Sequence, residues 1–159
     1  MEIPKIENPT LYILIGVPGS GKSTYAEELY QKSERGVALV SSDQIRKSLY
    51  GNENCQDNPK KVFAIAHQAI IDQLEKNYDV IFDATNIYAK DREDLILKVC
   101  FEVTKPVRFI AIYFDTPISE CIKRQDLRER KVPTKVIEKM GRQMEKPTFQ
   151  DGFDIIKTI

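Results

Sequence analysis

Cysteine is scarce in this chain of 159 residues, and the three that occur, Cys55, Cys100 and Cys121, are odd in number and far apart. With no C-x-x-C pair and a single histidine, that excludes a disulfide framework and a Cys/His zinc site, and it implies reduced thiols in a cytoplasmic compartment. Long apolar runs are also missing. Nothing approaches the ~20 residues a membrane span needs, and Met1 to Thr10 carries two prolines and two acids instead of a signal sequence, so a soluble protein with no membrane partner is expected. Net charge of either sign is absent, since 24 basic residues balance 24 acidic ones, and no global field steers the chain toward nucleic acid. The balance hides a local surplus: Glu120 to Lys146 holds nine Lys/Arg against five Asp/Glu. Repeats, low-complexity tracts and linkers are absent too, so residues 1–159 are expected to form one domain, burying roughly 70% of the surface exposed on unfolding.

What the chain does have is alternation. Short apolar runs at Thr10 to Ile15, Val37 to Val40, Val80 to Phe82, Val107 to Phe114 and Phe153 to Ile156 read as strands. Between them, helical periodicity covers Lys22 to Ser33, Gln44 to Leu49, Pro59 to Lys76, Ala89 to Phe101, Ile118 to Leu127 and Thr134 to Met144. Strands alternating with helices predict an α/β fold, a parallel sheet of about five strands with helices on both faces, and such sheets bind ligands beyond the carboxyl ends of their strands. The polar stretch Gly51 to Asn58 reads as a surface loop, and Tyr and Phe read mostly as strand and helix core.

One motif dominates. Gly16-Val17-Pro18-Gly19-Ser20-Gly21-Lys22-Ser23 satisfies G-x-x-x-x-G-K-[ST] between the first strand and the first helix. Gly16, Gly19 and Gly21 let backbone N–H groups turn inward, so the loop and the helix N-terminus form a nest for phosphates. Lys22 is expected to face solvent until a nucleotide arrives and then to reach the β- and γ-phosphates, while the Ser23 hydroxyl suits Mg²⁺, which takes oxygen ligands and retains waters. ATP and Mg²⁺ are therefore the expected cofactors.

Three further stations lie at the same sheet edge or in the basic segment. After the second strand comes Ser41-Ser42-Asp43-Gln44-Ile45-Arg46, where Asp43 could take a proton from a substrate hydroxyl and Arg46, one turn on, could bind a phosphate on that substrate. Equally, Ser42 or Asp43 could cap the helix that follows. The third strand ends in Asp83-Ala84-Thr85-Asn86; Asp83 reads as a Mg²⁺ ligand, with Thr85 and Asn86 within reach of γ-phosphate or acceptor, against the bland reading of an ordinary turn. The basic segment Lys123, Arg124, Arg128, Arg130, Lys131 is either a solvated face or a phosphate-binding lid. Glu120 and Asp126 lie four residues before Arg124 and Arg130, which gives those two arginines helical partners, whereas Arg128 has none. His67 shares a helix face with Phe63, Ile70 and Leu74 and reads as packed.

Taken together, these stations resemble the kinase domain of the P-loop 5′-hydroxyl polynucleotide kinases of phage and bacterial repair type, over nearly the whole chain. The resemblance implies a nucleoside-monophosphate-kinase-like fold with an arginine-bearing helical lid. The family's loop matches Gly16, Pro18, Gly19, Ser20, Gly21, Lys22, Ser23 and Thr24. Its general base and phosphate clamp match Asp43 and Arg46, its Asp-x-Thr-Asn matches Asp83, Thr85 and Asn86, and its lid arginines match Arg124 and Arg128, with Arg130 a loose match. The implied reaction is transfer of the γ-phosphate of ATP to a 5′-hydroxyl end of RNA or DNA. Kinases of small alcohols and of aminoacyl groups on tRNA share these motifs and form the alternative, and a nucleotide-binding module without transfer chemistry is a second. This sequence lacks the phosphatase and ligase modules of some relatives and ends just after the last expected strand, so the resemblance implies nothing about oligomeric state.

Overall fold

The computed structural model describes residues 7–129 and 132–159, so Arg130 and Lys131 lie outside the described residues. Five parallel strands, β1 (Thr10–Ile15), β2 (Val37–Ser41), β3 (Asp79–Asp83), β4 (Arg108–Tyr113) and β5 (Ile155–Thr158), stand in the order β2-β3-β1-β4-β5. Six helices connect and flank them: α1 (Lys22–Lys32), α2 (Ser42–Tyr50), α3 (Pro59–Glu75), α4 (Ala89–Glu102), α5 (Ile118–Asp126) and α6 (Thr134–Gln143). A single 3₁₀ turn, Phe149–Asp151, precedes β5.

Both faces of the sheet are covered, and the period-2 alternation of the strands sorts residues between them. Leu11, Ile13 and Ile15 of β1, Val80 and Phe82 of β3, and Phe109, Ala111 and Tyr113 of β4 pack with Ala66, Ile70 and Leu74 of α3 and Leu95, Ile96 and Val99 of α4. The opposite set, Leu14, Ile81, Ile112 and Phe114, packs against Ala26 of α1. Near-continuous apolar strands follow, as expected of a parallel sheet buried on both sides. A third cluster, Val17, Cys121 and Ile137, seats α5 and α6 against the tip of the loop after β1.

The register creates an opening. β1 pairs with β4 as far as Ile15↔Tyr113, but with β3 only as far as Ile13↔Phe82. Beyond that point the chain leaving β1 and the chain leaving β3 diverge, and a cleft forms at the carboxyl ends where the strand order reverses.

Two expectations need correction. The last strand begins at Ile155, two residues later than expected, because Phe153 is buried in the core and Asp154 accepts the Phe109 N–H at 2.8 Å. Nor are the aromatics mostly core: Tyr30, Tyr78, Tyr88, Phe101 and Phe149 are exposed, as many as the buried Phe82, Phe109, Tyr113, Phe114 and Phe153. Among the described residues, no helix is long and apolar enough to cross a membrane.

Candidate active site

The loop between β1 and α1 is built by glycine where no other residue fits. Gly19 and Gly21 hold φ of +84° and +104°, a left-handed region that penalises a Cβ. Gly21 is also the N-cap of α1 and supplies no side-chain cap, so the first-turn N–H groups of the helix stay open to the loop. Gly16 serves differently. A Cβ there would come within 2.5 Å of Ser20 Oγ, so Gly16 makes room for the loop's own side chain.

A cleft of about 780 Å³ opens above the loop, and its walls bring together residues from every expected station. Pro18, Gly19, Gly21, Lys22 and Ser23 form one side; Asp43 and Arg46 of α2, Asp83 at the end of β3, Thr85 just past it, and Arg128 after α5 face them. Gly16, Ser20, Thr24, Asn86 and Arg124 are not on its wall. Gly16 and Ser20 shape the loop from behind, Thr24 is exposed on α1, and Arg124 rests outside the loop, its Nη1 donating to the Gly19 carbonyl at 3.3 Å and its Nε 3.5 Å from Glu120. Asn86 spends its amide on the carbonyls of Leu14 (2.8 Å) and Ala84 (3.3 Å).

Lys22 corrects an expectation. Instead of facing solvent it is buried, with Nζ donating to the Val17 carbonyl at 2.9 Å. The ammonium thus sits inside the nest with one hydrogen bond among the described residues, to a loop carbonyl, and burial lowers its pKa to about 8. Ser23 Oγ donates to Asp83 Oδ2 at 2.9 Å, which sets two oxygen donors side by side at the loop mouth. Burial raises the Asp83 pKa, and Lys22 nearby works against that rise. Among the described residues no group of three or more His, Cys, Asp or Glu side chains is gathered for a metal. One carboxylate and one hydroxyl, with room for waters and phosphate oxygens, suit Mg²⁺.

The second half of the cleft is organised by α2. Its N-cap is Ser41, whose Oγ accepts the Gln44 N–H at 3.3 Å, so neither Ser42 nor Asp43 caps the helix as the bland reading had it. Asp43 projects from the first turn with its side chain 48% exposed, and Arg46 Nη1 stands 3.2 Å from Asp43 Oδ1 and 3.4 Å from Ser42 Oγ. The Arg46 guanidinium lies 5.8 Å from the Phe63 ring centroid, and its buried Nε bonds to nothing in the described residues. Asn54, Gln56, Phe63, Gln125, Val132, Pro133, Val136 and Met140 complete this wall. None was singled out from sequence as a site residue: Asn54 and Gln56 lie in what reads as a bland surface loop, and Phe63, Val136 and Met140 carry the same periodicity as core residues. His67, packed between Phe63 and Phe82, is half-buried, and burial lowers its pKa.

The profile of the AAA domain family matches residues 11–147, from the first residues of β1 to past α6. The chain belongs to this family. Relatives of this AAA domain are kinases. It is 28% identical over 151 residues to the L-seryl-tRNA(Sec) kinase of Methanococcus maripaludis, a match that covers 91% of this chain and 56% of the relative. It is 30% identical over 145 residues to a uridine kinase of Clostridium botulinum, covering 78% of this chain and 70% of that enzyme. In three dimensions it is similar to a chain of the Pnkp1/Rnl/Hen1 RNA repair complex, with a TM-score of 0.72 and 27% identity over 86% of this chain and 44% of that one. The AAA domain thus spans little more than half of the first relative and less than half of the repair-complex chain. Its five-stranded parallel sheet flanked by helices is the P-loop kinase fold.

Proposed function

We propose that this protein is an ATP-dependent phosphotransferase that moves the γ-phosphate to a 5′-hydroxyl end of RNA or DNA. One observation carries the reading: a carboxylate and a guanidinium one helical turn apart, Asp43 and Arg46, face the same cleft as the phosphate loop. The loop N–H groups and Lys22 bind the triphosphate, and Ser23 with Asp83 would hold Mg²⁺, which neutralises phosphate charge when bound. Asp43 accepts the proton of the acceptor hydroxyl as its oxygen bonds to the γ-phosphorus and ADP departs. Arg46 takes the phosphate on the far side of the acceptor nucleoside, a group that a polynucleotide end supplies and a free sugar lacks. Arg128, exposed on the cleft wall and bonded through its side chain to nothing among the described residues, donates to the transferring phosphoryl group, with Arg124 behind it at the loop.

The similarity to a chain of an RNA repair complex supports a nucleic-acid acceptor, while the similarity to an L-seryl-tRNA(Sec) kinase and to uridine kinases supports a second reading, a kinase of an aminoacyl group on tRNA or of a nucleoside. The test is transfer from γ-labelled ATP to a 5′-hydroxyl oligonucleotide, a nucleoside 3′-monophosphate, uridine and seryl-tRNA in parallel. Transfer to the first two, far above that to uridine, is the expected result. Preference for uridine or seryl-tRNA overturns the 5′-end reading, and ATP binding without any transfer leaves a nucleotide-binding module.

A further inference from the structure

Asn86 is held at both ends. Its backbone has φ of +48°, a left-handed conformation that an asparagine tolerates but that persists only where neighbours enforce it. The enforcement is visible on one side at β1. Past the last β1–β3 pair, Ile13↔Phe82, the strands no longer bond to each other, and the turn after β3 takes over. Asn86 Nδ2 donates to Leu14 O at 2.8 Å, and Gly16 N donates to Thr85 O at 3.0 Å. On its β3 side the start of the phosphate loop is thereby tied to this turn, while on the other side β1 stays paired to β4 as far as Ile15↔Tyr113.

On the other side stands Arg92 of α4, whose side chain has no solvent exposure. Arg92 Nη1 donates to the Asn86 carbonyl at 2.8 Å, Nε and Nη2 donate to Asp151 Oδ2 at 3.0 and 2.9 Å, and Nη2 also reaches Lys146 O at 3.3 Å. Lys146 lies just past α6, and Glu145 N donates to Ile87 O at 2.8 Å. One guanidinium therefore joins the turn behind the phosphate loop to the end of a helix whose Val136 and Met140 line the cleft.

We propose that Asn86, held by the Arg92–Asp151 pair, is a positioning residue that fixes the start of the phosphate loop, and that it is not a substrate ligand. The proposal deepens the kinase reading and rests on its nucleotide site, not on the identity of the acceptor. Removing the Asn86 amide frees Leu14 O and lets the turn and the loop drift apart, and nucleotide affinity falls although no nucleotide contact is deleted.

Asn86→Gly is the discriminating variant, because glycine adopts φ near +48° without strain, so the folded backbone is kept while the amide is lost, and the added freedom of the unfolded chain moves the melt a little but not the nucleotide affinity of the folded protein. In the full chain with Mg²⁺, a fluorescently labelled ADP is titrated well below the melting midpoint, and thermal melts are run beside it. The expected result is a midpoint at or near that of the parent with ADP affinity reduced at least tenfold. Arg92→Lys, whose ammonium cannot serve three separated acceptors, is expected to weaken ADP binding in the same direction if it folds. A loss of ADP affinity smaller than tenfold for Asn86→Gly overturns the proposal, whether or not the midpoint moves. So does an Asn86→Gly protein that fails to fold, which makes the residue purely structural, or one that changes only the acceptor KM, which makes it a ligand. Since ADP binding needs no acceptor, a parent protein that binds ADP yet ignores 5′-hydroxyl ends refutes the acceptor reading and leaves this test intact.

Discussion

Arg46 and Asp43 form an ion pair at 3.2 Å on one turn of α2, so the group expected to bind a substrate phosphate is already engaged by the group expected to take the substrate's proton. An acceptor phosphate must draw Arg46 away from Asp43 or share it. Asp43→Asn keeps a hydrogen-bond partner for Arg46 but no base, and kcat is expected to fall about 10²-fold or more with ATP affinity retained. Steady-state kinetics with a separate nucleotide titration checks both halves. Arg46→Ala is expected to raise KM for a 3′-phosphorylated acceptor and to change little for the bare nucleoside.

Lys22→Ala is expected to abolish transfer by on the order of 10²-fold or more, as for other single donors to developing negative charge. The fold survives, because the buried ammonium in the free protein is a desolvated charge with one carbonyl partner. A denaturant midpoint equal to or above that of the parent, measured below pH 8 where the parent lysine is charged, is the accompanying result.

Arg128→Lys is expected to lower kcat tenfold or more while leaving the melting midpoint in place, because the side chain is exposed and an ammonium cannot donate in a bidentate plane. Near-normal kcat would return Arg128 to the solvated surface.

Arg92→Met is expected to destabilise the fold by about 3–5 kcal/mol, the typical cost of leaving a buried partner such as Asp151 without its counter-ion. Urea unfolding curves check it. The cost is far larger than that of losing the exposed Lys90–Asp94 pair on the same helix.

His67 supplies a pH signature, helped by being the one histidine in the chain. Burial holds its folded pKa below the unfolded value of 6.5, so as the pH falls the unfolded chain binds the proton first. The stability that His67 contributes is complete above pH 6.5 and is lost as the pH drops through 6.5 toward the folded pKa. Unfolding midpoints between pH 7.5 and 5 should show this acid-side decline, and His67→Gln should flatten it.

The strand and helix alternation was legible because apolar runs in a doubly covered parallel sheet are continuous, and the nucleotide loop was legible because its chemistry is local in sequence. What stayed hidden was tertiary. Ser41, Ser42 and Asp43 are all competent caps, and only the observed backbone turn selects Ser41. Arg92 sits in the charged run Asp91-Arg92-Glu93-Asp94, where nothing local marks it as buried; its partner lies 59 residues away, beyond any periodicity. The far wall of the cleft was invisible for a related reason, since Phe63 and Met140 look like core until the cleft that they line is seen.

Gly19 carries a consequence for descent. A Cβ at this position would fall 2.5 Å from the Cys121 carbonyl oxygen, in addition to straining the left-handed backbone. Both penalties apply to the empty protein. A descendant without the proposed phosphoryl transfer would still be selected to keep glycine here, because α5 is moored against the loop tip. Retention of Gly19 in a lineage therefore testifies to inherited architecture, and loss of the proposed chemistry would be recorded first at Arg128, whose side chain is exposed.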